Sequence, residues 1–285
     1  MSFVTKGVLQ NLNPALWREH RFGIPRERWE SLRGASFWVT GAGTGYGQCI
    51  SLALAAAGAH VFMTGRRLDM LEGTREQAVR MGVAADRFHL LAADITAETE
   101  LAAAERRIAD LGVPLGGVVH CAAVPQAPTP VFPLCDIGEE ALSAMWAINV
   151  MGQLRVSRIA LASKSVGERF RMIFLSSEAG WASTEGFGPY NVSKAGVNSL
   201  GMSLATECKA KFPNRDFQIN VLVPGEAKTE MNQGSTQSPY AVVCMTLALL
   251  SHPRGGPNGC FFHRDGRHLQ FAYAAPFTSD LLLAR

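Results

Sequence analysis

Tyr190 and Lys194 stand four residues apart in a short stretch that we predict to be helical. Positions i and i+4 of a helix lie on one face, with Cβ atoms about 5 to 6 Å apart, so the phenol and the ammonium group would point into the same space. At about 5 Å and an effective dielectric constant of about 20, their attraction is roughly 3 kcal/mol, which would lower the pKa of the phenol by about two units. The pair therefore predicts a tyrosine that acts as a general acid or base.

The same spacing fits an aromatic residue beside a solvated lysine, and two further features favour the catalytic interpretation. Ser177 lies thirteen residues before Tyr190, at the end of an apolar run over 172–176. A glycine-rich turn occupies residues 40–47.

That turn reads Thr-Gly-Ala-Gly-Thr-Gly-Tyr-Gly and stands between a predicted strand and a helix rich in alanine and leucine. Because glycine has no Cβ, backbone N–H groups and the positive end of the helix can approach a pyrophosphate. A tight turn without a ligand is the alternative, and no Gly-Lys-Ser/Thr follows that would make a P-loop. We predict dinucleotide binding by these residues of the turn: Gly41, Gly43, Thr44, Gly45, Tyr46 and Gly47.

Arg66 and Arg67 follow the second predicted strand, where the choice between the two nicotinamide dinucleotides is made. A carboxylate there accepts from the ribose 2′-hydroxyl of NAD, whereas arginine pairs with the 2′-phosphate of NADP. No carboxylate stands over residues 64–67. The alternative is two solvated arginines at a helix start, and we favour NADP(H) over NAD(H) as the cofactor.

The ends of the third and fourth predicted strands complete the expected cofactor site. Asp94, followed by Ile95, could accept from the adenine amino group or could equally cap the next helix. Ala122 is small enough for the adenosine ribose to lie close. His120 and Cys121 precede it, but a strand-end thiol without a third orienting group is more often inert.

The composition is that of an ordinary globular protein. The 285 residues are 47% hydrophobic and 18% charged, and the formal net charge of +3 gives no electrostatic footprint for nucleic acid. The six cysteines include no C-x-x-C pair and fit reduced thiols in the cytoplasm. The seven histidines include no H-E-x-x-H, so we expect no catalytic metal. No G-x-S-x-G supports hydrolysis.

Two segments bear on targeting and membrane insertion. The N-terminal residues are followed by no apolar segment of the kind found in a secretory signal. Residues 34–65 carry no Asp, Glu, Lys or Arg, but seven glycines interrupt them. This pattern indicates short buried elements of a parallel sheet rather than a membrane span.

Short apolar runs alternate with longer helical patterns along the chain. The predicted strands are 36–40, 60–64, 88–93, 117–122, 171–176, 217–223 and 260–263, and the predicted helices are 45–57, 67–81, 98–111, 138–165, 189–212 and 240–251. Strict alternation implies right-handed crossovers and a parallel sheet covered on both faces. We predict one α/β domain over residues 34–285, a Rossmann-type doubly wound parallel sheet of about seven strands.

Residues 1–33 are predicted to form an N-terminal extension that is polar and rich in arginine, glutamate and tryptophan. It could pack on the domain or on a partner subunit, and its arginines could also meet a phosphorylated substrate.

The sequence resembles the short-chain dehydrogenase/reductase family in the order and spacing of five features: the turn at 40–47, Asn149, Ser177, Tyr190 and Lys194. The resemblance covers about residues 35–270, and the gap of thirteen residues between the serine and the tyrosine is the family's usual one. It implies an enzyme that interconverts an alcohol and a ketone or aldehyde with a nicotinamide dinucleotide.

The resemblance also implies a role for each residue. Tyr190 would donate or accept the proton, with Ser177 hydrogen-bonded to the same substrate oxygen. Lys194 would hold the nicotinamide ribose and lower the pKa of Tyr190, and Asn149 would support a water that relays protons to the lysine. The loop after the sixth strand would contact the cofactor through Pro224, Gly225 and Thr229.

Two stretches depart from the family pattern without removing a catalytic group. The stretch 120–123 reads His-Cys-Ala-Ala where relatives usually carry Asn-Asn-Ala-Gly, and 264–267 reads Arg-Asp-Gly-Arg where Asp-Gly-Gly is common. The alternatives are an NAD-linked alcohol dehydrogenase of the same family and a non-catalytic dinucleotide sensor. Such sensors typically lose the tyrosine or lysine that this chain retains.

The substrate is expected to be a small alcohol or carbonyl compound. The predicted walls of its pocket are Glu178 and the loops 124–133, 181–187 and 226–239. Residues 224–239 are a candidate lid. The aromatic tail over 271–277 is expected to be buried. By resemblance, the protein would be a homotetramer or homodimer, with the helices at 138–165 and 189–212 facing partners.

Overall fold

Seven parallel strands form the centre of the protein in a computed structural model that describes residues 12–125, 134–181 and 187–269. The strands are β1 (Ser36–Thr40), β2 (His60–Gly65), β3 (Phe88–Ala92), β4 (Leu115–His120), β5 (Val166–Leu175), β6 (Asp216–Val223) and β7 (Cys260–His263). Their order across the sheet is β3-β2-β1-β4-β5-β6-β7. The order reverses between β1 and β4, and ligands of open α/β sheets bind in the crevice at such a point.

Helices cover both faces of the sheet. In chain order they are α1 (Trp17–His20), α2 (Arg26–Glu30), α3 (Gly45–Ala56), α4 (Leu68–Arg80), α5 (Glu98–Asp110), α6 (Glu139–Trp146), α7 (Gln153–Ala162), α8 (Gly188–Lys211) and α9 (Val243–Leu250). One core contains apolar side chains of α3, α4 and α9, and the other contains those of α5, α7 and α8. In β1, Phe37 and Val39 belong to the first core and Trp38 to the second, as the two-residue period of a strand requires. The predicted doubly wound sheet is confirmed.

The structure differs from the predicted elements mainly between α6 and β5. The helix predicted over 138–165 is interrupted by a π-helical segment, Ala147–Gly152, and the chain leaves α7 at Ser163. Strand β5 begins at Val166, five residues before its predicted start, because its polar first half still pairs with β4 across a register shift. The apolar pattern alone marked only the buried second half of this strand.

The described part of the N-terminal extension packs on the domain. Phe22 and Trp29 are buried, and the ring of Phe22 stacks on Tyr240 with centroids 5.8 Å apart. The Trp17 Nε1 donates to the carbonyl of Met81 at 3.1 Å, and the Arg28 Nε donates to Ser251 Oγ at 3.0 Å. Of the three interpretations of this extension, packing on its own domain is the one that these contacts support.

Candidate active site

The structure brings Ser177, Tyr190 and Lys194 together at the carboxyl end of β5. Ser177 lies two residues beyond the end of that strand, and its Oγ accepts from the backbone N of Ala179 at 3.1 Å, which orients the hydroxyl. Tyr190 and Lys194 occupy the first two turns of α8, which has Pro189 near its N-terminus. The Ser177 hydroxyl lies close enough to the Tyr190 hydroxyl to act on its pKa. The Lys194 Nζ lies 5.5 Å from the centroid of the Tyr190 ring.

Burial controls the ionisation of both groups. Burial raises the pKa of Tyr190 to about 12, and the Ser177 hydroxyl only partly opposes it. Burial likewise lowers the pKa of Lys194 to about 8, and its Nζ donates to the carbonyl of Leu175 at 3.0 Å. The prediction that Lys194 lowers the pKa of Tyr190 below its usual value is therefore wrong. Desolvation of the phenolate outweighs the attraction of the ammonium group, and Tyr190 is a neutral phenol at pH 7.

The depressed pKa of Lys194 predicts a specific dependence of stability on pH. The folded protein loses this proton near pH 8 and the unfolded chain near pH 10.5, so the unfolded state binds more protons between these values and stability rises with pH. The comparison is between wild type and Lys194→Met, because titrations that Lys194 does not influence cancel between the two proteins. Between pH 7 and pH 10, the stability of wild type relative to the variant should rise by on the order of 2 kcal/mol in urea unfolding. A constant difference would show that the amine keeps its ordinary pKa.

Asn149 lies in the π-helical segment, a geometry often found at functional sites. Its Oδ1 accepts from Val124 N at 2.8 Å, and its Nδ2 donates to Val124 O at 3.1 Å and to Ser193 Oγ at 3.1 Å. The buried amide thus ties the segment after β4 to α8, between Tyr190 and Lys194 in the chain. The side chain is engaged in this support, and the predicted water relay would have to use other atoms of the residue.

A cleft lies beside these residues, at the point where the strand order reverses. Cys121 connects the two, because it lines the cleft and its thiol lies within the electrostatic influence of Lys194. The predicted cofactor residues that line the cleft are Gly41, Gly43, Thr44, Gly45, Tyr46, Gly47, Arg66, Arg67, Asp94, Ile95, Ala122 and Thr229. Met70, Ile148 and Glu230 also line it and were missed, since none stands in a motif.

Pro224 and Gly225, predicted to contact the cofactor, are not part of the cleft lining. Pro224 is buried, and the carbonyl of Gly225 accepts from the Tyr46 hydroxyl at 2.6 Å. Gly225 has φ of +67° and a Cβ there would meet the Arg264 guanidinium at 2.8 Å, so the position requires glycine. Gly225 thus supports the wall formed by Tyr46.

The backbone of the glycine turn lies so close to neighbouring backbone that a Cβ would not fit. Gly41 has φ of +64°, and a Cβ on it would lie 2.7 Å from the backbone N of Ala122. A Cβ on Gly47 would lie 2.2 Å from the carbonyl oxygen of Gly41. The turn therefore leads directly into α3, whose N-terminal N–H groups are available to an anion. These residues fit the pyrophosphate of a dinucleotide.

Asp94 lines the cleft but does not cap the next helix, whose N-cap is Ala97, so the predicted cap is wrong. Its Oδ1 accepts from the backbone N and from the hydroxyl of Thr96, both at 2.8 Å, and the residue also lines the cleft. Burial acts to raise the pKa of this carboxyl, but the Thr96 bonds and the charge of Arg66 outweigh it and hold the pKa below its usual value. Asp94 thus closes a turn at the edge of the cleft.

His120 and Cys121 do not form a reactive pair. The His120 Nε2 lies 2.9 Å from Ser157 Oγ, its ring stacks on Phe174, and burial lowers its pKa to about 3. Burial raises the pKa of the Cys121 thiol, with Lys194 acting weakly in the opposite direction. The histidine is a neutral core residue in place of the family's asparagine, and the thiol is protonated.

Several predicted features lie outside the described residues. These are most of the loop 124–133, the loop 182–186 and the aromatic tail over 271–277. Within the described ranges, no three His, Cys, Asp or Glu side chains cluster so as to hold a metal ion. Among the helices of the same ranges, none has the length and apolar character that crossing a membrane requires.

The sheet order, the cleft at its reversal and the buried lysine beside a phenol define a dinucleotide-linked oxidoreductase. Comparison with known proteins agrees, because the family model described as short chain dehydrogenase matches residues 36–239. The chain belongs to the short-chain dehydrogenase/reductase family. It is an enzyme that interconverts CH–OH and C=O groups of small molecules with NAD(P).

Similar proteins include glucose 1-dehydrogenase from Gluconobacter oxydans (strain 621H), which is 27% identical over 219 residues, 76% of this chain and 78% of that protein. Dehydrogenase/reductase SDR family member 4 from Homo sapiens is 27% identical over 253 residues, 84% of this chain and 87% of that protein. A solved short-chain type dehydrogenase/reductase from Mycobacterium ulcerans superposes with a TM-score of 0.73 at 26% identity, covering 81% of this chain and 88% of that one.

Proposed function

We propose that this protein is an NADP(H)-dependent oxidoreductase that interconverts an alcohol and a ketone or aldehyde, with Tyr190 as the acid/base group. The observation that carries the proposal is the Ser177–Tyr190 hydroxyl pair next to buried Lys194, beside a cleft with a glycine turn. Glucose 1-dehydrogenase, among the similar proteins, is named as a dehydrogenase of a small molecule.

Each side chain has a defined task in the reducing direction. Tyr190 is a neutral phenol at pH 7 and can donate its proton to a carbonyl oxygen. Ser177 donates a hydrogen bond to the same oxygen and holds it against Tyr190. When bound, the dinucleotide supplies the hydride that reduces the carbonyl carbon. The Lys194 ammonium group stabilises the tyrosinate that is left behind, and Asn149 fixes the position of α8.

The preference for NADP(H) rests on the cleft residues that follow β2. Arg66 and Arg67 line the cleft where a carboxylate would select NAD, and β2 itself ends at Gly65. Arg66 lies close enough to Asp94 to lower the pKa of that carboxyl, which supports a position beside the adenosine ribose. A 2′-phosphate carries the opposite charge and suits this guanidinium.

Fluorescence titration with NADPH and NADH tests the cofactor assignment. Wild type should bind NADPH more tightly, and Arg66→Gln should weaken NADPH by at least about tenfold while leaving NADH within about twofold, because a charge-assisted bond to the phosphate is lost. Arg75→Gln, on the adjoining helix α4, is the matched control and should leave both affinities unchanged. Equal weakening of both dinucleotides by Arg66→Gln would place the 2′-phosphate elsewhere.

The assembly and location follow as further parts of the proposal. Trp146, Val192 and Met202 are large apolar residues on α6 and α8 that are 36%, 38% and 38% exposed, and this supports a homodimer or homotetramer formed through these helices. All six cysteines are free thiols, which supports a reducing, cytoplasmic environment.

A further inference from the structure

Arg66 and Arg67 are neighbours in the chain but face different partners. Arg66 acts on Asp94, beyond β3, and forms no ion pair with any residue that the structure describes. The Arg67 guanidinium instead makes a two-pronged ion pair with Glu230, with Nη1–Oε1 at 2.9 Å and Nη2–Oε2 at 2.7 Å. The two arginines therefore have different electrostatic environments at the same cleft.

Glu230 stands at the tip of a loop, residues 226–238, that we call the flap. The root of the flap is fixed by Arg264, which donates to the carbonyl of Glu226 and to Gln237 Oε1, both at 2.8 Å. Across the loop, Lys228 N donates to Gln237 O at 2.8 Å. The base of the flap is thus held to β7 and closed on itself.

The tip of the flap is a tight turn between Thr229 and Asn232. Thr229 N donates to Asn232 O at 3.1 Å, and Asn232 N donates to Thr229 O at 3.2 Å, which leaves Glu230 and Met231 projecting. Thr229, Glu230 and Met231 all line the cleft, and so does Arg67 on the opposite wall at the start of α4. The ion pair therefore crosses the cleft from one wall to the other.

From this geometry we propose that Arg67 and Glu230 form a strap that closes the flap over the bound dinucleotide and slows its release, while Arg66 reads the 2′-phosphate. This inference rests on the proposed function, because it takes the cleft to hold NADPH. It assigns separate roles to two arginines that the sequence presents as one motif. Glu230 becomes a residue that governs cofactor retention without contacting the reacting atoms.

The strength of the strap and its dependence on salt follow from the exposure of its two side chains. Both side chains are 54% exposed, so the pair is modest in strength and sensitive to salt. The Glu230 carboxylate neutralises the positive charge of Arg67, which would otherwise attract the 2′-phosphate. Breaking the strap should therefore affect NADPH and NADH alike, because neither side chain of the strap is assigned to the 2′-phosphate, the one group that distinguishes the two dinucleotides.

Stopped-flow release of NADPH and of NADH, followed by cofactor fluorescence, tests the strap. Arg67→Gln and Glu230→Gln should each speed release of both dinucleotides by about three- to fivefold, and the double variant should be no faster than either single one because they remove the same interaction. Glu72→Gln, an exposed carboxylate on α4, is the control and should leave release unchanged. The charge reversal Arg67→Glu with Glu230→Arg should restore slow release of NADH.

The outcomes separate the strap from the proposed function. If Arg67→Gln weakens NADPH selectively, Arg67 is a phosphate ligand and the strap is refuted. Failure of the charge reversal to restore NADH release also refutes it, even when wild type binds NADPH normally. If wild type binds neither dinucleotide, the proposed function itself fails, and the strap fails with it.

Discussion

Tyr190→Phe is expected to bind NADPH as tightly as wild type and to lose at least about a hundredfold in turnover with any carbonyl substrate, because the proton donor is removed while the ring remains. The structure explains why the loss should fall on turnover. The Tyr190 hydroxyl lies close to Ser177 and outside the glycine turn, so its removal leaves the dinucleotide cradle intact. Steady-state kinetics with NADPH consumption, paired with a fluorescence titration, measures both quantities.

Tyr240→Phe is the matched control for that experiment. Tyr240 is a second largely buried phenol, but it stacks on Phe22 of the N-terminal extension. The same chemical change there should leave turnover within about twofold, as for a substitution away from the reacting groups. Retention of turnover by Tyr190→Phe would remove the tyrosine from the mechanism, and equal losses in both variants would point to a general structural effect.

Gly47→Ala is expected to damage both dinucleotide binding and stability. The new Cβ would meet the backbone oxygen of Gly41 at 2.2 Å and its carbonyl carbon at 2.7 Å, and backbone cannot move aside as a flexible side chain can. Shifting the turn should lower the free energy of unfolding by about 1–3 kcal/mol and weaken NADPH by at least about tenfold. Urea unfolding and NADPH titration of the same preparation check both effects.

Gly73→Ala supplies the control for the glycine turn. Gly73 lies within α4, and a Cβ added there would have no atom within 4 Å. Because alanine is the better helix residue, this variant should be more stable by about 0.5–1 kcal/mol and bind NADPH normally. Normal binding by Gly47→Ala would show that the turn does not cradle the cofactor.

The sequence predicts the architecture well because each element carries its own local signal. Strands with apolar side chains on both faces, separated by helical patterns, define a parallel sheet, and the glycine turn marks its reversal point. The prediction fails where that signal is absent. The first half of β5 is polar and lacks the apolar pattern of a buried strand. The apolar pattern of 138–165 likewise does not indicate the π-helical segment at Asn149.

Some features of the site depend on residues close together in the chain, and others depend on contacts between distant residues. The four-residue spacing of Tyr190 and Lys194 places both on one face of α8, as expected. The upward shift of the Tyr190 pKa could not be predicted, because burial of the phenol depends on the packing of the whole chain. The pairing of Arg67 with Glu230, 163 residues apart, is likewise invisible without the fold.

A crystal structure of the protein grown with NADPH tests the central claim most directly. The account predicts electron density for the dinucleotide along the cleft, with its pyrophosphate on the turn between Gly41 and Gly47. The reactive edge of the nicotinamide should be separated from the Tyr190 hydroxyl by a space that one carbonyl group can span. Density elsewhere, or a nicotinamide directed away from Tyr190, would contradict the account.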